Sequence, residues 1–154
     1  MRELPPDWYE VHSPCGDRDE TILRRIEQEL GKPLAEFLRM YSGSRFLKIV
    51  GIQLGKDSDL PFVNISEVES LASIRKAFEH GDAKPDTIEI ATDSCGNSFL
   101  IERTLGSVIY EDHETEDRYQ LAKSINEFLT QLQVIDIELD DPDAEVWIHP
   151  DFLD

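Results

Sequence analysis

Three residues that can do chemistry lie close together in the segment ATDSCGNSFLI, residues 91–101. Asp93, Cys95 and Asn97 combine a carboxylate, a thiol and an amide, a set that suits a nucleophile or a metal ligand group. A zinc site needs about four ligands, with cysteines or histidines in closely spaced pairs. The only other cysteine of the chain is Cys15, so the spacing does not favour a metal site.

The residues on either side of this segment predict a β-hairpin instead. TIEIAT at 87–92 and NSFLIER at 97–103 alternate like two strands. An aspartate such as Asp93 bonds its own backbone two residues on, and Gly96 can take the positive φ of a tight turn. We therefore interpret Asp93, Cys95 and Gly96 as turn residues.

A second candidate for chemistry is YEDHETED, residues 110–117. Asp112, His113 and Glu114 at the end of a strand can serve as a general base and metal ligands. Asp93, Asp112 and His113 around a metal ion define one alternative function, a small metal-dependent hydrolase. The sequence has no H-E-x-x-H or D-x-D-x-D-G companion, and we predict a solvated connection from a strand to a helix. No cofactor is expected.

The charge of the chain points to a protein partner. Its 33 acidic and 15 basic residues give a net charge of −18. Residues 111–154 hold fourteen of the acids against only Arg118 and Lys123, a net −12. Such a field repels nucleic acid and favours fast, salt-sensitive association with a basic protein. The alternative is that the acid only keeps the protein soluble.

The acidic run near the end is the predicted partner-binding element. It superficially resembles a calcium loop, but it lacks a central glycine and contains Pro142. Trp147 stands among the acids and is either a contact anchor or part of a clasp that packs back on the body. The predicted partner-binding residues are Asp112, Glu114, Asp136, Glu138, Asp140, Asp141, Asp143, Glu145 and Trp147.

Length and composition predict one domain over residues 1–154. We divide it into an N-terminal arm at 1–16 whose aromatic residues dock on the body, a core at about 20–132, and an acidic extension at 133–154. The start of the sequence has no apolar run typical of a signal peptide or membrane anchor. The two cysteines are then expected to be reduced thiols in a cytoplasmic protein without membrane contact.

Apolar spacing, with glycine and proline as breaks, predicts the order α-α-β-α-β-β-β-α. Consecutive strands joined by short turns favour an α+β fold in which an antiparallel meander sheet carries helices packed on it. The predicted helices cover 19–30, 33–42, 66–80 and 115–132, and the predicted strands cover 46–54, 87–92, 97–103 and 107–111.

Three segments in this order resemble the SUKH superfamily, the Smi/Knr-like domain, over about residues 20–132. They are ILRRIEQELGKPLAEFLRMYSGS (22–44), IEIATDSCGNSFLIERTLGSVIYEDHETED (88–117) and LAKSINEFLTQL (121–132). The positions that match the family pattern are Leu30, Gly31, Phe37, Leu38, Gly43, Gly96, Asn97, Val108, His113, Phe128 and Leu129.

The resemblance implies a SUKH-like fold and a binding role. Members of this family are not regarded as enzymes, and the Gly-Asn turn, here Gly96 and Asn97, positions a strand. Many bacterial members look like immunity proteins that neutralise a cognate toxin, often a nuclease, by direct binding. Others are regulatory or scaffold modules, which is the second alternative for this chain. The implied partner is a basic protein, such as a secreted toxin domain.

Overall fold

The computed structural model of this chain describes residues 2–11, 19–53, 62–80 and 86–134. Within these ranges there are four α-helices, one short 3-10 helix at Pro6–Trp8 and eight strands. The helices are α1 Glu20–Leu30, α2 Lys32–Tyr41, α3 Leu71–His80 and α4 Ile125–Gln131. The strands are β1 Tyr9–Val11, β2 Ser44–Ile52, β3 Val63–Val68, β4 Thr87–Thr92, β5 Ser98–Glu102, β6 Val108–Glu111, β7 Arg118–Ala122 and β8 Gln133–Val134.

The strands form one antiparallel sheet in the order β1-β2-β3-β4-β5-β6-β7, and β8 returns to pair with β2. Neighbours in the sheet are neighbours in sequence, as in a meander. The predicted α+β class with an antiparallel sheet and packed helices is confirmed.

Buried residues of all four helices form one core cluster with side chains of this sheet. Phe99 on β5 contacts Phe128 on α4, with ring centroids 6.0 Å apart. Because side chains alternate along a strand, Leu100 then points to the opposite, outer face. In the sheet register Leu100 stands between Glu89 on β4 and Ile109 on β6, so these residues share the outer face.

The bend between the first two helices follows from one glycine. Gly31 has φ +103°, a conformation that disfavours any residue with a Cβ, and its N–H donates to the Glu27 carbonyl. The first helix therefore ends at Leu30, as predicted, and α2 begins immediately after, with Pro33 in its first turn.

The predicted helix start at Ser66 is wrong, because residues 63–68 form β3. The Ser66 and Glu69 pattern of a capping box falls on a segment whose backbone is bonded to β2 and β4 instead. The helix α3 begins at Leu71, and the Ser70 hydroxyl accepts a hydrogen bond from the Ser73 N–H at 3.2 Å.

The predicted helix start at Thr115 is also wrong. Residues 118–122 form β7, which pairs with β6, and Arg118 Nε donates to the buried Glu111 carboxylate at 2.7 Å. The helix α4 is capped later by Ser124, whose hydroxyl accepts from the Glu127 N–H at 3.1 Å. The S-x-x-E spacing of Ser124 and Glu127 is the sequence signal for this start.

The described part of the N-terminal arm packs on the body, and it contains a short strand that the sequence analysis did not assign. Trp8 and Tyr9 are half-buried against the core, as predicted for the arm's aromatic residues. The Arg2 guanidinium donates to the Leu129 and Leu132 carbonyls at 3.0 Å each, at the end of α4. The N–H of Leu4 donates to the Tyr41 hydroxyl at 2.8 Å.

None of the helices in the described ranges is both long and apolar enough to cross a membrane.

Candidate functional site

The turn that joins β4 to β5 is organised by one carboxylate. Asp93 Oδ1 accepts hydrogen bonds from the N–H groups of Cys95, at 2.9 Å, and Asn97, at 2.8 Å. Gly96 has φ +85°, which favours glycine there. The turn predicted at this place is therefore present, and Cys95 lies at its exposed tip.

The same carboxylate connects this turn to β6. Asp93 Oδ2 accepts from Asn97 Nδ2 at 2.9 Å and from the Tyr110 hydroxyl at 2.8 Å. Burial and the bond to Asp93 raise the pKa of Tyr110, so the phenol stays protonated and donates. The four accepted bonds occupy the roughly four lone-pair positions that a carboxylate offers.

His113 joins the network through the side-chain oxygen of Asn97. Asn97 Nδ2 is turned towards Asp93 and Tyr110, so Oδ1 accepts from the His113 N–H at 3.0 Å and faces His113 Nδ1 at 2.7 Å. Since an amide oxygen only accepts, we assign the hydrogen to Nδ1 of the exposed imidazole. Asn97 thus ties the β4–β5 turn to the β6–β7 turn.

Asp112 and Glu114 lie in the β6–β7 turn. This connection joins two strands, so the prediction of a strand-to-helix connection is wrong. Asp112 Oδ1 accepts from the N–H groups of Glu114 at 2.9 Å and Thr115 at 3.3 Å, and Glu116 has φ +62°. These hydrogen bonds stabilise a turn in place of the helix that Thr115 and its acidic neighbours predicted.

A hydrolase site built on Asp93, Asp112 and His113 finds little support in this geometry. The Asp93 carboxylate already accepts hydrogen bonds from its own turn and from Tyr110. The Asp112 carboxylate accepts hydrogen bonds from backbone N–H groups. Among the described residues no three His, Cys, Asp or Glu side chains are grouped so that they could hold a metal ion. The polar groups here stabilise two turns.

The other predicted partner-binding residues lie outside the described residues. Only Asp112 and Glu114 of that set are placed, and both are at the β6–β7 turn. The remaining members are Asp136, Glu138, Asp140, Asp141, Asp143, Glu145 and Trp147.

A cavity that the sequence analysis missed lies at the C-terminal end of β3. It has a volume of about 340 Å³ and opens between the start of β2, the end of β3 and the first turn of α3. We call it the acidic notch. Its lining residues are Gly43, Ser44, Arg45, Glu67, Val68, Glu69, Ser70 and Ser73.

Two carboxyl groups meet beside this notch. Burial, together with the neighbouring charges of Glu89 and Glu67, raises the pKa of Glu69 from the ordinary 4.5 to about 7. Glu69 is close enough to Glu89 for a hydrogen bond, which forms when the Glu69 carboxyl holds a proton. The Glu69 N–H donates to the Ile90 carbonyl at 2.8 Å, which fixes the backbone next to Glu89.

One sequence pattern is typical of a strand at this pair: in SEVES at 66–70 the acidic residues alternate with other residues. Because the sequence analysis assigned that segment to a helix, it did not use this pattern. Glu69 and Glu89 are twenty positions apart, and only the pairing of β3 with β4 brings them together.

We predict that Gly96→Val destabilises the protein by about 1 kcal/mol or more, because a β-branched residue is poorly tolerated at φ +85°. Thermal unfolding measures the effect. Cys95→Ser is the matched control and should leave the melting temperature nearly unchanged, since the Cys95 side chain is exposed. An unchanged melting temperature for Gly96→Val would contradict the assigned turn.

We predict that Glu69→Gln stabilises the protein at pH 8 but not at pH 4.5. The folded-state pKa of Glu69, about 7, lies above its ordinary 4.5, so the wild-type protein loses stability as pH rises across that window. Because Glu69 is partly exposed, we expect a screened effect of ~1 kcal/mol, or about 2–4 °C in melting temperature.

Thermal unfolding from pH 4.5 to 8 checks this prediction. Glu114→Gln, at an exposed glutamate, is the control and should follow the wild-type curve. A Glu69→Gln protein whose melting temperature tracks the wild type at every pH would show that the two carboxyl groups do not repel each other.

Comparison with known proteins gives one match. No curated protein and no solved structure matches the chain. A family model described as SMI1 / KNR4 family (SUKH-1) matches residues 19–131, from just before α1 to the last residue of α4. This match covers well over half of the chain, and it confirms the resemblance found in the sequence. The chain belongs to the SMI1/KNR4 family (SUKH-1).

Proposed function

We propose that this protein is an immunity-type binding protein that neutralises a toxin by direct contact and carries out no chemistry of its own. Membership of the SUKH-1 family is the observation that carries the proposal, because many bacterial members resemble immunity proteins. The alternative within the same family is a regulatory or scaffold module. A nuclease toxin acts on cytoplasmic nucleic acid, so the protein is expected to act in the cytoplasm.

The hydrogen bonding of the buried polar groups supports a binding role rather than a catalytic one. The carboxylate, amide and phenol at the hairpin ends bond to one another and to backbone groups. A general base or nucleophile instead needs a lone pair directed at a substrate. Asp93, one of the candidates for that task in the sequence, directs its oxygens at its own turn and at the Tyr110 hydroxyl.

The charge supports a basic partner. A toxin that cleaves nucleic acid must present a basic surface to the phosphates, and a protein of net charge −18 can cover that surface. A field of this size also raises the rate of encounter. This suits an inhibitor that has to reach the toxin before the toxin reaches nucleic acid.

A protection experiment tests the proposal. Any toxin domain that the genes neighbouring this one encode is expressed in a bacterial host with and without this protein. We expect co-expression to restore growth and the two purified proteins to co-elute as a complex. A toxin from an unrelated system serves as the specificity control. Toxicity that persists, with no complex on size-exclusion chromatography, would refute the proposal.

We further predict that the acidic extension steers association. Replacing Asp140, Asp141 and Asp143 together by Asn should slow association with the toxin at low salt and flatten its salt dependence. Thermal stability should not fall, because the core at Leu121 to Leu132 is unchanged. Stopped-flow kinetics at low and high salt measure the rates. A wild-type rate for the triple variant at low salt would show that the extension only aids solubility.

A further inference from the structure

Two large apolar side chains are exposed close together on β2. Leu47 is 56% exposed and Ile49 is 40% exposed. The residues on either side of them face inwards, since Phe46 packs against the core and Val50 is fully buried in it. Because successive side chains of a strand point to opposite faces, Leu47 and Ile49 both point away from the core. We call these two residues the β2 patch.

The β2 patch lies on an irregularity of the sheet. Arg45 stands opposite Glu67 and Val50 stands opposite Ile65, so β2 advances five residues, from 45 to 50, where β3 advances two, from 67 to 65. The additional residues of β2 form a bulge. Bulges redirect side chains and are common beside active sites. The exposure of the patch therefore coincides with a feature of the backbone that serves to display side chains.

The charges around the β2 patch suit a basic partner. Lys48, between the two apolar residues, is paired with Asp7 at 2.7 Å. Arg45, nearer the start of the strand, stands between Glu10 on β1 and Glu67 on β3 in the register. These two basic residues are thus outnumbered by three acidic ones. Apolar side chains exposed singly are normal, whereas neighbouring ones with a polar rim mark interaction sites.

The acidic extension starts next to the β2 patch. β8, its first two residues, pairs with Val50 and Gly51, and Val50 directly follows Ile49 along β2. Beyond β8, residues 135–154 hold eight acids and no lysine or arginine. A basic protein that is attracted by this charge is therefore brought to the part of the sheet that carries the patch.

We propose that the β2 patch is the apolar centre of the surface that binds the basic toxin domain. The inference rests on the proposed function for the identity of the partner, and it adds the place of contact. Protein interfaces have an apolar core and a polar rim, and most effects of changes in the core appear in the dissociation rate. The acidic extension then steers the encounter, whereas Leu47 and Ile49 slow dissociation.

A double variant tests this assignment. Leu47→Thr combined with Ile49→Thr keeps every charge and the strand propensity but removes most of the exposed apolar surface. We expect it to dissociate from the toxin domain of the protection experiment at least about tenfold faster than the wild type. Its association rate at low salt should equal that of the wild type, because the charges that steer the encounter are unchanged.

Leu105→Thr is the matched control. Leu105 is 71% exposed in the turn between β5 and β6, so this variant removes the same kind of side chain far from β2 in the sheet. It should dissociate from the toxin domain at the wild-type rate. An equal acceleration by Leu105→Thr would overturn the proposal, because the loss of any exposed leucine would then have the same effect.

Two further measurements distinguish the toxin from other occupants of the patch. The melting temperatures of the double variant and of Leu105→Thr should agree within about 2 °C, because surface substitutions have small effects. Sedimentation velocity should give the same oligomeric state for the wild type and the double variant. A larger loss of stability would assign the patch to a contact within the chain, and a dimer that the double variant dissociates would assign it to a second copy. Either result would overturn the proposal.

The outcomes separate this inference from the proposed function. If the wild type binds the toxin domain and the double variant dissociates at the wild-type rate, the patch proposal is wrong and the immunity function stands. If the wild type binds no toxin domain, the immunity function fails, and the patch proposal fails with it because its occupant does not bind.

Discussion

The carboxylate of Asp93 is the interaction on which one end of the sheet depends. A charged group that is 8% exposed is costly unless hydrogen bonds replace its water. Asp93 obtains them from two backbone N–H groups of its own turn, from the amide of Asn97 and from the hydroxyl of Tyr110. Loss of any donor leaves a buried charge partly unpaired.

This network aligns two hairpins. Its hydrogen bonds use most of the donors and acceptors of the side chains that form it. Asn97 receives the backbone N–H of His113, so the β6–β7 turn is positioned by the β4–β5 turn. Tyr110 packs its ring on Phe99, with centroids 5.5 Å apart, which connects the network to the core beneath. A buried polar network whose members are all satisfied makes a structure rigid and specific.

The acidic notch shows the opposite arrangement. Glu69 and Glu89 repel each other. Local conflicts of this kind concentrate at functional sites.

The sequence by itself determined the elements whose signals are local. Gly31 separates α1 from α2, and the Asp93 to Gly96 turn joins two alternating segments, because the φ preference of glycine and the side-chain bonds of aspartate act within a few residues. The order of the predicted elements was enough to predict the α+β class, and the motifs over about residues 20–132 were enough to predict the family, which the match at residues 19–131 confirms. No partner contact in the acidic extension is placed by the structure, since residues 135–154 lie outside the described ranges.

Only the tertiary structure decided between helix and strand at β3 and β7. Ser66 with Glu69 is typical of a helix start, but the backbone of this segment bonds to β2 and β4. Thr115 with its acidic neighbours is also typical of a helix start, but Thr115 lies in a turn held by Asp112, and the residues after that turn pair with β6. Strand pairing is a non-local interaction that a short sequence window does not contain. For the same reason the Glu69 and Glu89 pair was invisible in the sequence, because the two carboxyl groups become neighbours only when β3 and β4 lie side by side.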